Sequence, residues 1–290
     1  MNFPRLAALF LPLLTAACAA PMASRTPVQP VTVGIIAIND FHGALEPPKQ
    51  SVLAPDGKGD FALVPAGGAA WLASAIDAAR AKYPHHLTVS AGDLIGGTPI
   101  TSALFLDEPA IGVMNRIGLD YSAVGNHELD HGVEELQRKQ HGGCAQHGAR
   151  KPCQVEQFKG AKFALLAGNS FKPDGSTLFP ATGMRSFGSG RSKVNIGIIG
   201  LTLKETGGLI PPEVSKGLRF ADEAETANAL VPGLKAQGAD AIILLIHQGG
   251  FTKGRPGSNS CDNLTSGIRQ ILNRLDTRID VVVSGHTHWE

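Results

Sequence analysis

Short apolar runs alternate along this chain with stretches that carry their apolar residues on one helical face. Residues 31–38 are almost continuously apolar, as a strand buried on both faces is. Residues 87–90, 121–124, 163–167, 194–203, 241–246 and 280–283 are similar short runs rich in strand-forming side chains, and they predict further strands. Between them, residues 67–83 place Leu72, Ile76 and Ala79 on one side of a helix and Asp77, Arg80 and Lys82 elsewhere. Further helices are predicted over 103–117, interrupted near Pro109, and over 131–139, 221–237 and 266–275, with the third broken or kinked at Pro232. Strand and helix in alternation is the pattern of an α/β fold. Residues 47–65 and 144–153 read as surface insertions, and no internal repeat is visible.

Five of the strand-like runs end on polar residues of one chemical kind. These stations read Asp40-Phe41-His42, Gly92-Asp93, Gly125-Asn126-His127-Glu128, His247 and Gly285-His286-Thr287-His288. In an α/β sheet such side chains gather beyond the carboxyl ends of the strands, where ligands bind. Asp, Asn and His together are metal ligands, and there are enough for two divalent ions, with Mn, Zn, Fe and Co all suited. Asp40 and His42, two apart, point the same way on an extended strand end and can serve one ion. Gly92 lets the chain turn sharply and present Asp93, a carboxylate that can give one oxygen to each ion. Asn126 adds a carbonyl oxygen, and His247, His286 and His288 add imidazoles.

Seven ligands on two ions leave positions for water and a substrate oxygen. Two ions about 3.5–4 Å apart can hold a hydroxide and stabilise in-line displacement at phosphorus. His127 is assigned as general acid or transition-state stabiliser, with Asp130, three residues on, fixing its tautomer. Taken singly, Asp40 and Asp93 read as turn residues and His247 as a polar cap on a sheet edge. Their ordered occurrence with His42 and Asn126-His127 overrides that reading. Glu128 reads as a solvated or helix-capping carboxylate, and His131, His141 and His147 as surface residues. The paired glycines lack the Lys-Ser/Thr of a phosphate-cradling loop.

Composition narrows the partners. A net charge of +1 with no basic stripe argues against a nucleic-acid polymer as the bound partner. With 43% hydrophobic residues the chain can bury one large core or two small ones. Arg5 followed by the apolar stretch 6–17 has the form of an export signal within residues 1–20. Leu14-Thr15-Ala16-Ala17-Cys18 resembles a bacterial lipoprotein box, which would put a lipid anchor on Cys18; cleavage after Ala20 is the alternative. Residues 21–30 then form a tether, and the expected location is the periplasm or the envelope membrane surface. Export permits a Cys144–Cys153 disulfide and leaves Cys261 over.

The ordered stations resemble the calcineurin-like metallophosphoesterases, and more finely the exported bacterial 5′-nucleotidases and UDP-sugar hydrolases. Asn126-His127-Glu128-Leu129-Asp130-His131-Gly132, Gly200-Leu201-Thr202 and Ile246-His247-Gln248-Gly249-Gly250 carry the finer likeness, which covers residues 31–288. It implies a four-layer αββα sandwich, two mixed sheets flanked by helices. It implies one ion on Asp40, His42, Asp93 and His288, a second on Asp93, Asn126, His247 and His286, and a His127–Asp130 dyad. The implied reaction is hydrolysis of a nucleotide or other small phosphate ester. The family's C-terminal domain, which grips base and phosphate, is expected to be missing, so that residues 31–290 form a catalytic domain truncated at its end with an open sheet edge. The alternatives are a cyclic-nucleotide phosphodiesterase and a metal-binding remnant of little activity.

Overall fold

A computed structural model describes residues 30–49, 51–253, 261 and 263–288. The expected export signal, Cys18 and the expected tether up to residue 29 lie outside the described residues. The elements in chain order are β1 (Val33–Ile38), β2 (Ser51–Pro55), β3 (Phe61–Pro65), α1 (Ala69–Arg80), β4 (His85–Ser90), α2 (Ile100–Ala103), α3 (Glu108–Ile117), β5 (Tyr121–Ala123), α4 (Val133–His141) and β6 (Ala164–Leu166). Then follow β7 (Ser170–Phe171), β8 (Thr182–Phe187), β9 (Val194–Leu201), α5 (Pro212–Ser215), β10 (Arg219–Phe220), α6 (Glu223–Ala236), β11 (Ala241–Ile246), α7 (Gly267–Leu272) and β12 (Val281–Ser284).

Two four-stranded sheets form the frame. The first has the order β1-β4-β5-β6 with every pairing parallel; the second has the order β12-β11-β9-β8, antiparallel only at β8. Side-chain alternation explains why they stack. Leu87 and Val89 of β4, Ile196 and Ile198 of β9, and Ile243 and Leu245 of β11 point into one apolar layer between the sheets. The intervening residues of β9 and β11 (Ile199, Leu201, Ile242, Leu244 and Ile246) face α6 and α7. Ile76, Ile111, Met114 and Leu136 of α1, α3 and α4 cover the outer face of the first sheet. The layers are therefore helix, sheet, sheet, helix. Gly200 allows the sheets to approach closely, since a Cβ there would stand 2.2 Å from the Cβ of Leu166.

Several expectations shift. The expected insertion holds the β2–β3 hairpin, whose Asp56-Gly57-Lys58-Gly59-Asp60 tip turns on two glycines at positive φ and on Asp56 accepting from the amides of Lys58 and Asp60. The helix predicted over 103–117 is two helices. The break precedes Pro109, at Leu106 and Asp107, both left-handed, and Pro109 lies in the first turn of α3, where its missing N–H costs nothing. Pro232 lies inside α6, which runs through it. Strand β8 was not anticipated.

Cys144 and Cys153 are bonded, and Cys261 is exposed and unpaired. Closing a loop of about ten residues contributes on the order of 3 kcal/mol by the chain-entropy estimate. Glu108 fixes the same insertion by accepting from the Cys153 amide at 3.0 Å while pairing with buried Arg138 at 2.7 Å.

Asp222 caps α6 through the Glu225 amide and holds Arg274, which follows α7, at 2.6 Å. The Arg274 hydrogen bond pulls its carboxyl down to about 2. A depressed folded-state pKa adds stability that is present above the unfolded value of about 4 and is lost as pH falls toward the folded one. Asp222→Ala should therefore lower stability by about 1 kcal/mol at neutral pH. Urea unfolding of both proteins should show the gap closing as pH falls from about 4 to about 2; a gap unchanged at the acid end would refute the assignment.

Candidate metal centre

The stations meet where the carboxyl ends of the two sheets adjoin. β1 stops at Ile38, so Asp40 and His42 do not converge by strand alternation. They converge because both adopt left-handed backbone, at φ 48° and 43°, while Phe41 between them is buried in the first core. Asp93, His286 and His288 are also left-handed, at φ 50°, 74° and 53°. Such conformations cost about 1–3 kcal/mol each outside glycine and persist only where the surroundings impose them. Here neighbouring turns impose them: the Asp40 amide donates to Gly92 O at 3.1 Å, the His42 amide to Asp93 O at 2.9 Å, and the His286 amide to both Asp40 oxygens at 3.0 Å. Gly92, at φ 97°, has no room for a side chain, because a Cβ would lie 2.7 Å from Gly125 N and 2.9 Å from His247 Nδ1.

All seven candidate ligands come together. His42 Nε2 lies 3.0 Å from His288 Nε2, and Asp40 Oδ1 lies 3.5 Å from the latter. His247 Nε2 lies 2.9 Å from Asp93 Oδ2 and 3.1 Å from Asn126 Oδ1, and His286 Nδ1 lies 3.0 Å from the same Asn126 oxygen. Asp93 Oδ2 is also 3.7 Å from His42 Nε2, so it stands between the two groups.

The donor set fits cations. His42 Nδ1 faces Gly96 O and His247 Nδ1 faces Ala91 O, each at 2.8 Å. A carbonyl only accepts, so each Nδ1 carries a proton, which leaves Nε2 facing the cluster as the atom available to a cation. Lone pairs of nitrogen, carboxylate and amide oxygen then converge on common points, which a cation between them satisfies. Burial opposes charge on His247, but the hydrogen bond and charge of Asp93 outweigh it and raise its pKa. Burial works against the Asp93 carboxylate too, and His247 with the His127 amide holds it below the usual range. His286 is lowered by burial and by the charge of His247.

His127 Nδ1 lies 2.8 Å from Asp130 Oδ2, which also accepts from Gly97 N at 3.2 Å. That bond lifts the His127 imidazole to about 9 against partial burial. The side chain keeps 37% of its exposure and faces a cleft of about 530 Å³ that Phe41, Ala44, Gly97 and Pro99 line beside the ligands. An imidazole N lies there within 4.8 Å of ligand atoms of His42 and Asp93, close enough to reach a group held between them.

Two buried carboxylates beside the candidate ligands differ from or escape the sequence reading. Glu128 is neither solvated nor a helix cap; it is 2% exposed and accepts hydrogen bonds from three backbone amides. Burial pushes its carboxyl up, and the Asp93 charge adds to the rise. Asp107, also buried, accepts from Gly96 N, Thr98 Oγ1 and Ser102 Oγ, and so holds the loop whose Gly96 carbonyl orients His42. Neither residue lies in a pattern of ligand spacing, so only the folded chain shows its role.

The family described as calcineurin-like phosphoesterase matches residues 34–290. The chain belongs to that family. This phosphoesterase is 50% identical over 162 residues to an Acinetobacter calcoaceticus protein named for the pqq-V 5′ region, covering 54% of this chain and 79% of that one. It is 30% identical over 263 residues to endonuclease YhcR of Bacillus subtilis, covering 90% of this chain and 20% of the endonuclease. The solved NAD nucleotidase of Haemophilus influenzae superposes with a TM-score of 0.59 at 26% identity, over 88% of this phosphoesterase and 38% of the nucleotidase. The chain thus spans a minor part of the length of the latter two. The family is one of phosphate-ester hydrolases that use divalent metals. Among the described residues no helix is long and apolar enough to cross a membrane.

Proposed function

We propose that this phosphoesterase hydrolyses phosphate monoesters, nucleotides foremost, at the edge where the two sheets adjoin. Asp40, His42, Asp93 and His288 would hold one divalent cation, and Asp93, Asn126, His247 and His286 the other. The observation that carries the reading is Asp93 Oδ2, 2.9 Å from His247 Nε2 and 3.7 Å from His42 Nε2, with Asn126 and His286 completing one side and Asp40 and His288 the other. When bound, the two cations supply Lewis acidity that activates water and offsets phosphate charge.

The protein's part is positional and protic. Left-handed turns aim the ligands before any substrate arrives, which spares reorganisation at the reacting centre. Asn126 can present its amide to a phosphate oxygen. His127, on the cleft side and braced by Asp130, donates the proton that the departing alkoxide needs. Phe41, Ala44 and Pro99 give the cleft an apolar rim that excludes water from one side. The likeness to an endonuclease favours one rival, phosphodiester hydrolysis, because the same ligands serve either ester. Export is proposed as well, resting on Arg5 with residues 6–17 and on the disulfide.

The purified chain with Mn²⁺ should release phosphate from p-nitrophenyl phosphate and from 5′-AMP, and EDTA should stop it. Faster turnover of bis-p-nitrophenyl phosphate would replace the monoesterase reading by the diesterase one. Bound Mn²⁺ with no turnover of any of the three esters would leave the metal-binding remnant instead.

A further inference from the structure

We propose that Glu128 is a positioning residue of the metal centre: its carboxylate braces the two turns that present Asp93 and Asn126 and so fixes the site's shared ligand. The inference rests on the reading of Asp93 and Asn126 as ligands.

The turns follow different strands, β4 and β5, and nothing in the sheet ladder reaches them. Asp93 follows Gly92 at φ 97° and is itself left-handed, so the amides of this turn lack regular backbone partners. Glu128 supplies them. Its Oε2 accepts from Asp93 N at 2.9 Å and from Gly125 N at 2.6 Å, and its Oε1 accepts from Leu94 N at 2.8 Å. The bracing is reciprocal, because Asp93 Oδ1 accepts from the His127 amide at 2.9 Å. Each turn's side chain therefore holds the other turn's backbone. With Oδ1 engaged, Asp93 is held with Oδ2 toward His247 and His42.

The chemistry requires a carboxylate of this length. All three partners are N–H donors, and they favour the ionised carboxylate, which only accepts, against the burial that pushes the carboxyl up. Glutamine would aim an NH₂ at one of them, and aspartate is a methylene too short to span both turns. A buried donor left without an acceptor costs about 1–3 kcal/mol. The turn would relieve that cost by moving, and Asp93 would move with it.

The test compares Mn²⁺ affinity in wild type, Glu128→Gln and Asp93→Asn by isothermal titration, well below each protein's melting temperature. Glu128→Gln should bind Mn²⁺ about 10–100-fold more weakly, the loss typical of groups that orient ligands. A merely structural role would lower the melting temperature and leave affinity unchanged. Weakened binding in Asp93→Asn with wild-type affinity in Glu128→Gln would overturn the inference. Wild-type affinity in both would overturn the ligand reading beneath it. A measurement on the wild type covers the case in which Glu128→Gln does not fold. The amides of Asp93, Leu94 and Gly125 should resist hydrogen exchange even in EDTA, because Glu128 and not the cation holds them; free exchange there would also overturn the brace.

Discussion

Asp93→Ala is expected to reduce phosphate release by about a thousandfold or more while the far-ultraviolet circular dichroism stays that of a folded protein. The expected loss exceeds that of a single transition-state donor, about 10²–10³-fold, because one side chain serves both groups. Its Oδ2 faces His247 on one side and His42 on the other, and its Oδ1 holds the His127 amide. Alanine removes the shared ligand and loosens the turn that carries the proposed acid. It also leaves His247, buried completely, without its carboxylate partner. Metal content measured on the same sample should fall with activity. A variant that keeps two ions and more than a tenth of wild-type turnover would show that Asp93 is not the bridge.

His127→Ala should separate what Asp93→Ala combines. A general acid contributes about 10²–10⁴-fold, so turnover should drop by that range while both ions stay bound. The distinction matters because a histidine backed by a carboxylate suits a metal ligand as well as an acid. An imidazole N of His127 also lies within 4.8 Å of ligand atoms of His42 and Asp93. Equal loss of metal and turnover would move His127 among the ligands. A leaving group that needs no proton supplies a second readout: the variant should be impaired far less on p-nitrophenyl phosphate than on a nucleotide, whose alkoxide leaves poorly. Asp130→Asn should weaken the acid more mildly, by the 10–100-fold or so seen when an orienting partner is lost.

The stations could be read from the chain because Asp, Asn and His follow the carboxyl ends of five apolar strands, and five stations of one chemistry make a pattern. The buried strands could be read for the same reason: β11 is apolar throughout, and β9 carries no polar side chain from Ile196 to Leu201, as a sheet inside four layers requires. The way Asp40 and His42 converge was not legible, since the two-residue spacing fits an extended strand as well as the left-handed turn found. The β2–β3 hairpin was hidden by its flanking prolines and by exposed Leu53 and Leu63, which blur the alternation of a half-buried strand. Its glycine-bearing tip was the available signal. Glu128 and Asp107 were illegible for a deeper reason. Their partners include backbone amides, which every residue type carries, so no spacing of side chains announces them.

The seven candidate ligands divide between the two sheets. Asp40, His42, Asp93 and Asn126 follow strands of the first, and His247, His286 and His288 follow strands of the second. Both groups draw on both sides: Asp40 and His42 stand with His288, and Asp93 with His247 and His286. A cation held in either place would be a rivet across the seam, doing at one rim what the apolar layer does through the interior. Chelation then acts on architecture as well as on chemistry. It would free the sheets to part first at the rim where the substrate enters, so that an idle enzyme and a loosening one become the same molecule.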